Sequence, residues 1–242
     1  MKIDIARQPL VPAFMTLFAL AVAAMCAGIP VSDPSGAVRD ALPLLGGQLA
    51  RFQAAYPVWS KFAAGFMLLF TGMCAGRITI RYNLYTVGTC LPIPLYAIVA
   101  CGIATGGNYL AGFAASMLLS LATKNYCRAF CNGYGFDAIF RASLYLGLMP
   151  LIYAPALPLL LLLPLAVLLF RRTLREVAVA TAGLLLPVFT ACYVSWGTGA
   201  EFTAPLIKLG QSAIEGMPLH LFLDIPLPAL VMAGGIVLLD LT

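Results

Sequence analysis

Long apolar runs separated by short polar segments dominate this chain. The longest run, Ser143 to Phe170, carries no charged residue and is followed by Arg171 and Arg172. A helix that crosses a membrane needs about 20 apolar residues, or about 17 at the short end. The pattern therefore predicts an all-α, polytopic helical integral membrane protein with about eight transmembrane helices.

The predicted spans form a single helical membrane domain over residues 1–242. They are 11–31, 58–75, 86–103, 109–122, 143–153, 155–170, 177–196 and 226–239. Pro92 and Pro94 should kink the third span or delay its start. The run 143–170 is too long for one helix and contains four prolines, so it is divided into two short spans. A re-entrant hairpin is the alternative, and both arrangements return the chain to the same side.

The positions of Lys and Arg agree with this layout. Ten of the 14 cations fall on one side and four on the other. The first group is Lys2, Arg7, Arg77, Arg81, Lys124, Arg128, Arg141, Arg171, Arg172 and Arg175; the second is Arg39, Arg51, Lys61 and Lys208. The positive-inside rule then places the N-terminus in the cytoplasm.

Two segments outside the spans are amphipathic. Residues 37–56 and 202–223 carry apolar residues every three or four positions, which is typical of helices lying on a membrane surface. We expect the first to be broken near Pro43 and Gly46-Gly47. Packing on the outer leaflet is the preferred interpretation; a roof over a cavity or a docking surface for another subunit is the alternative.

Composition supports a membrane location. The chain is 62% hydrophobic and 10% charged, with a mean hydropathy of +0.98. Soluble domains are about half apolar and about a quarter charged. The net charge of +5 lies at the edges of apolar segments, so we expect membrane lipids as partners and no nucleic acid.

Recognisable chemistry is sparse. The predicted spans hold almost no ionisable group, which disfavours a proton-coupled or ion-coupled transporter. The sequence contains no G-x-S-x-G, H-E-x-x-H, P-loop or dinucleotide motif, so no cofactor is expected. Cys127 and Cys131 are four apart, but no histidine lies near them, and no metal site is expected. The single histidine, His220, is interpreted as an interfacial polar residue.

Two candidate sites remain. Asp33 follows the first span in VSDPSG, where turn formation is the simpler explanation and an outer-face catalytic carboxylate is the alternative. Arg77 and Arg81 are four apart and could bind a lipid phosphate or headgroup. For the two arginines, anchoring of the topology is the preferred explanation.

The block from Arg81 to Trp196 contains RYNLYTVGTCLP and GFDAIFRASLYLGLMPLIYAPALPLLLLLPLAVLLFRRTLREVAVATAGLLLPVF. It resembles an uncharacterised family of polytopic inner-membrane proteins of Bacteroidota, and the resemblance implies that location but no activity. The block is more distantly similar to the mid-region of GT-C type glycosyltransferases, which use polyprenyl-phosphate sugars. Asp33 is the only residue that matches their outer-face acid, and no paired acidic motif follows it.

The leading hypothesis is a non-catalytic inner-membrane subunit or scaffold of a bacterial cell-envelope complex, with other envelope proteins as partners. One alternative is a GT-C-like polyprenyl-phosphate-dependent glycosyl or lipid transferase that uses Asp33. Another is a lipid or small-molecule transporter. Whether the protein is an enzyme is left open, with a non-catalytic role preferred. Since no basic anchor follows the last span, we also expect the native chain to extend beyond Thr242.

Overall fold

The computed structural model describes residues 10–26, 44–82, 90, 92–103, 109–131, 135–161 and 173–215. Within these ranges the chain forms eight α-helices and one 3-10 helix, and no strand. The α-helices are α1 (Leu10–Cys26), α2 (Leu44–Ala55), α3 (Pro57–Arg81), α4 (Pro92–Ile103), α5 (Tyr109–Cys131), α6 (Phe136–Ile152), α7 (Leu174–Gly197) and α8 (Ala204–Glu215). The 3-10 helix (Ala154–Leu161) follows α6. The all-helical prediction is confirmed for these residues.

Among the described helices, α3 and α7 are long and apolar enough to cross a membrane, and α1 is apolar but shorter. α3 has 25 residues and α7 has 24. At 1.5 Å per residue each is roughly 36 Å long, which exceeds the hydrocarbon core of about 30 Å. The described part of the chain therefore contains two candidate membrane-spanning helices.

Several helices continue beyond the predicted spans. α5 runs to Cys131 rather than 122, and α6 begins at Phe136 rather than 143. A polar pair supports the added turns of α6, because Arg141 Nε donates to Asp137 Oδ1 one turn earlier, at 3.0 Å. α4 begins at Pro92, consistent with a delayed start of the third span. The predicted span 226–239 lies outside the described residues.

The amphipathic segments are described in part. α2 is continuous through Gly46-Gly47, so the predicted break at these glycines is wrong. Gly46 is buried, and a residue without a side chain suits that close packing. α8 forms most of the described part of the second segment. Residues 37–43 and 216–223 lie outside the described part of the chain.

The helices pack in two groups that share α5. In the first, α1, α3 and α4 meet the beginning of α5. α3 presents three glycines to this group, and they accommodate side chains of α1 and α4: Gly65 contacts Met25, Gly72 contacts Leu17, and Gly76 contacts Ile93. In the second group, α6 packs between α5 and α7, and the 3-10 helix completes the cluster.

α6 and α7 point the same way. α8 follows α7 closely in the chain and contacts both the 3-10 helix, which follows α6, and α2. The C-terminal ends of α6 and α7 therefore lie at one end of the helices. α7 therefore begins at the end opposite to the C-terminus of α6.

The two ends of the structure differ in charge. One end, which we call the basic end, carries six of the nine cations among the described residues: Arg77, Arg81, Lys124, Arg128, Arg141 and Arg175. The other, the capped end, is covered by α2 and α8, and α2 packs against α3, α5 and α6. It carries Arg51, Lys61 and Lys208. For these nine described cations, the grouping at two ends agrees with the predicted grouping.

Buried hydrogen bonds join α2, α3 and α5 at the capped end. The Ser60 hydroxyl lies 2.6 Å from the Tyr109 hydroxyl and donates to the Pro57 carbonyl at 2.8 Å. Because Ser60 donates its single hydroxyl proton to the Pro57 carbonyl, the Tyr109 hydroxyl donates to the Ser60 oxygen. The Gln53 side-chain oxygen accepts from the Leu110 amide at 3.4 Å.

This direction of donation predicts unequal effects for the two partners. Tyr109→Phe removes one hydrogen bond and should lower the free energy of unfolding by about 0.5–1.5 kcal/mol. Ser60→Ala leaves the buried Tyr109 hydroxyl without its acceptor and should cost about 1–3 kcal/mol. Thermal unfolding of the two variants in detergent measures the difference. A larger loss in Tyr109→Phe would contradict the assigned direction.

Candidate functional site

A cavity of about 630 Å³ opens at the basic end. Four helices, α1, α3, α4 and α5, contribute to its walls. The described lining residues are Leu10, Phe70, Met73, Cys74, Arg77, Ile80, Arg81, Ile93 and Lys124. Three cations therefore share a cavity whose other described lining residues are apolar.

α3 supplies most of this lining, because six of its residues are spaced so that they fall on one face of the helix. Positions 70, 73, 74, 77, 80 and 81 recur every three or four residues, which places them on one face of a helix. Arg77 and Arg81 are one turn apart near the C-terminal end of α3. A helix C-terminus carries partial negative charge, so it favours cations at these positions.

Lys124 comes from α5 and completes the cationic group. The sequence indicated Arg77 and Arg81 as a pair, but nothing in the spacing along the chain joined Lys124 to them. The packing of α3 against α5 brings the three residues to one cavity. The signal available in the sequence was that all three cations lie on the same predicted side of the membrane.

No carboxylate is among the described lining residues. Asp137 pairs with Arg141 on its own helix, at 3.0 Å. Glu176 is buried at the start of α7, where its side chain accepts from the Thr173 amide at 3.3 Å in a capping box. The described part of the cavity is therefore electropositive, and its chemistry suits an anionic oxygen group such as a phosphate or a carboxylate.

The other candidate residues do not join this cavity. Asp33 and His220 lie outside the described residues, so the catalytic hypothesis for Asp33 stays a prediction. Cys127 and Cys131 lie near the end of α5, the first half-buried and the second exposed. The described ranges contain no group of three or more His, Cys, Asp or Glu that could hold a metal ion.

The two thiols should react at different rates. Both thiols lie beyond the predicted span 109–122. Burial, and to a smaller extent the charge of the neighbouring Cys131, raises the pKa of the Cys127 thiol. Since the thiolate is the reactive form, Cys127 should be alkylated by a maleimide more slowly than the exposed Cys131 at neutral pH. Because the pKa of Cys127 lies above the ordinary thiol value of 9.0, its alkylation rate should continue to increase as the pH rises past 9.0. Mass spectrometry of Cys127→Ser and Cys131→Ser checks this, and faster labelling of Cys127 would refute it.

Comparison of the chain with family models, curated proteins and solved structures gave no match.

Proposed function

We propose that this chain is a multi-pass protein of the bacterial inner membrane that acts as a non-catalytic subunit or scaffold of a cell-envelope complex. The observation that carries the membrane location is the outward face of α7. Leu185, Leu186 and Phe189 are exposed there although each is large and apolar. Contiguous apolar surface of this kind is unfavourable in water, and lipid tails remove the cost.

The distribution of aromatic and cationic residues supports the same location. Trp59 and Trp196, the two tryptophans of the chain, are 68% and 61% exposed at the capped end. Tryptophan is enriched where a membrane meets water. Trp59 and Arg77 lie on the same helix and are about 27 Å apart at 1.5 Å per residue, close to the thickness of a hydrocarbon core.

The cations suggest the orientation. Lys and Arg are concentrated in cytoplasmic loops of membrane proteins. With the basic end in the cytoplasm, α1 would begin on the cytoplasmic side, and α2 and α8 would lie on the outer face. The N-terminus would then be cytoplasmic.

The role as a subunit is proposed from the surface of α8. Pro205 and Ser212 face the neighbouring helices and are buried, whereas Leu206 and Ile207 are exposed. The described residues therefore bury only part of the apolar side of α8. An envelope partner that packs on Leu206 and Ile207 would cover it.

The proposal is tested by mild-detergent purification of the tagged full-length protein, with mass spectrometry of the co-purifying proteins. We expect defined envelope proteins at near-equal abundance. Leu206→Ser combined with Ile207→Ser should release them, while Lys208→Gln on the same helix should retain them. A solitary protein carrying only lipid would contradict the role as a subunit.

A further inference from the structure

We propose that the cavity at the basic end binds one anionic glycerophospholipid. Its phosphate lies among Arg77, Arg81 and Lys124, and an acyl chain follows the apolar wall formed by Phe70 and Met73. The inference rests on the proposed membrane location, and it adds a ligand that the role as a subunit does not require.

Charge argues for an anion at this position. Arg77, Arg81 and Lys124 line one cavity, and its described lining supplies no carboxylate. Three like charges in one cavity repel one another, and the repulsion is stronger where part of the surroundings is apolar. A phosphate lowers this energy, and guanidinium groups bind its oxygens through paired, charge-assisted hydrogen bonds.

The apolar walls argue for a lipid over a free phosphate. Phe70 lies seven residues before Arg77 on one face of α3, which is about 10 Å along the helix. Phe70, Met73 and Ile80 are partly exposed, although they line the cavity. A soluble phosphate would occupy only the basic part of the cavity, whereas an acyl chain attached to the phosphate would also pack against this apolar wall.

The position in the membrane fits as well. The three cations lie toward the C-terminal ends of α3 and α5, where the proposed cytoplasmic interface begins. Lipid phosphates lie at this level, and basic pockets between helices on the cytoplasmic side are suited to anionic headgroups. A lipid held here would contact α1, α3, α4 and α5 together, so its binding should stabilise their packing.

The experiment measures the apparent melting temperature of the full chain in detergent with added lipid. Phosphatidylglycerol should raise it, whereas phosphatidylcholine with the same acyl chains and soluble glycerol 3-phosphate should not. Arg77→Gln combined with Arg81→Gln should weaken apparent binding of phosphatidylglycerol roughly 30-fold, at about fivefold for each cation. Arg51→Gln with Lys61→Gln removes two cations from the capped end and should leave binding unchanged.

Native mass spectrometry of co-purified phosphatidylglycerol provides a second readout that does not depend on melting. The proposal would be overturned if phosphatidylcholine stabilised the protein as much as phosphatidylglycerol does. It would also be overturned if Arg51→Gln with Lys61→Gln weakened binding of phosphatidylglycerol as much as Arg77→Gln with Arg81→Gln. Stabilisation by glycerol 3-phosphate alone would overturn it in favour of a soluble anion. Release of the protein from membranes by alkaline carbonate would instead refute the membrane location, so the two failures are distinguishable.

Discussion

Gly147→Ala is expected to lower the free energy of unfolding by about 1–3 kcal/mol. A methyl group at this position would overlap the carbonyl oxygen of Leu184 and lie 3.1 Å from its carbonyl carbon. Both atoms belong to the backbone of α7, so the clash cannot be relieved by rotating a side chain. α6 and α7 would have to separate along the interface where Gly183 also meets the Phe140 carbonyl, 2.8 Å from an added methyl group.

Gly210→Ala is the matched control. Gly210 also lies within a helix, but an added methyl group would meet no atom within 4 Å. Alanine favours a helix over glycine by about 1 kcal/mol, so this variant should be unchanged or slightly more stable. Chemical or thermal unfolding in detergent measures both variants. Equal stability of Gly147→Ala and the parent protein would show that α6 and α7 are not held in backbone contact.

Leu186→Arg should sharply reduce the amount of protein integrated in the membrane. Leu186 lies at the middle of α7 and is 46% exposed. An arginine at the centre of a spanning helix costs about 2.5–3.5 kcal/mol on insertion scales. The same substitution on a surface facing water would change stability by about 0.5 kcal/mol or less. A large loss of integrated protein would therefore indicate that α7 faces lipid, whereas a small change would indicate that it faces water.

Leu174→Arg is the control for position. Leu174 is 86% exposed at the first turn of α7, where Arg175 follows it. A cation at the end of a span reaches the interface with its long side chain, so this variant should integrate normally. Immunoblots of carbonate-washed membranes give the readout. Normal integration of Leu186→Arg would count against a lipid-facing α7.

The candidate cavity was predictable only in part. Arg77 and Arg81 stand out in the sequence because they are one helical turn apart and follow an apolar run. Lys124 is more than 40 positions away, and its approach depends on how α3 packs against α5. The apolar wall of Phe70 and Met73 reads in the sequence as ordinary lipid-facing surface, and only the packing of neighbouring helices makes it the side of a cavity.

The sequence by itself determined that the described part of the chain is helical, that Arg77 and Arg81 lie one turn apart on one face, and how the nine described cations divide between two ends. These features follow from local periodicity and from the rule that backbone polar groups in an apolar run bond within their own helix. The tertiary structure decided which helices touch. Gly147, an unremarkable glycine in a leucine-rich run, became a backbone contact, and the predicted break at Gly46-Gly47 became a continuous turn of α2 in which Gly46 is buried. Contacts between distant segments depend on the shapes of both partners, and periodicity within one segment carries no information about the other.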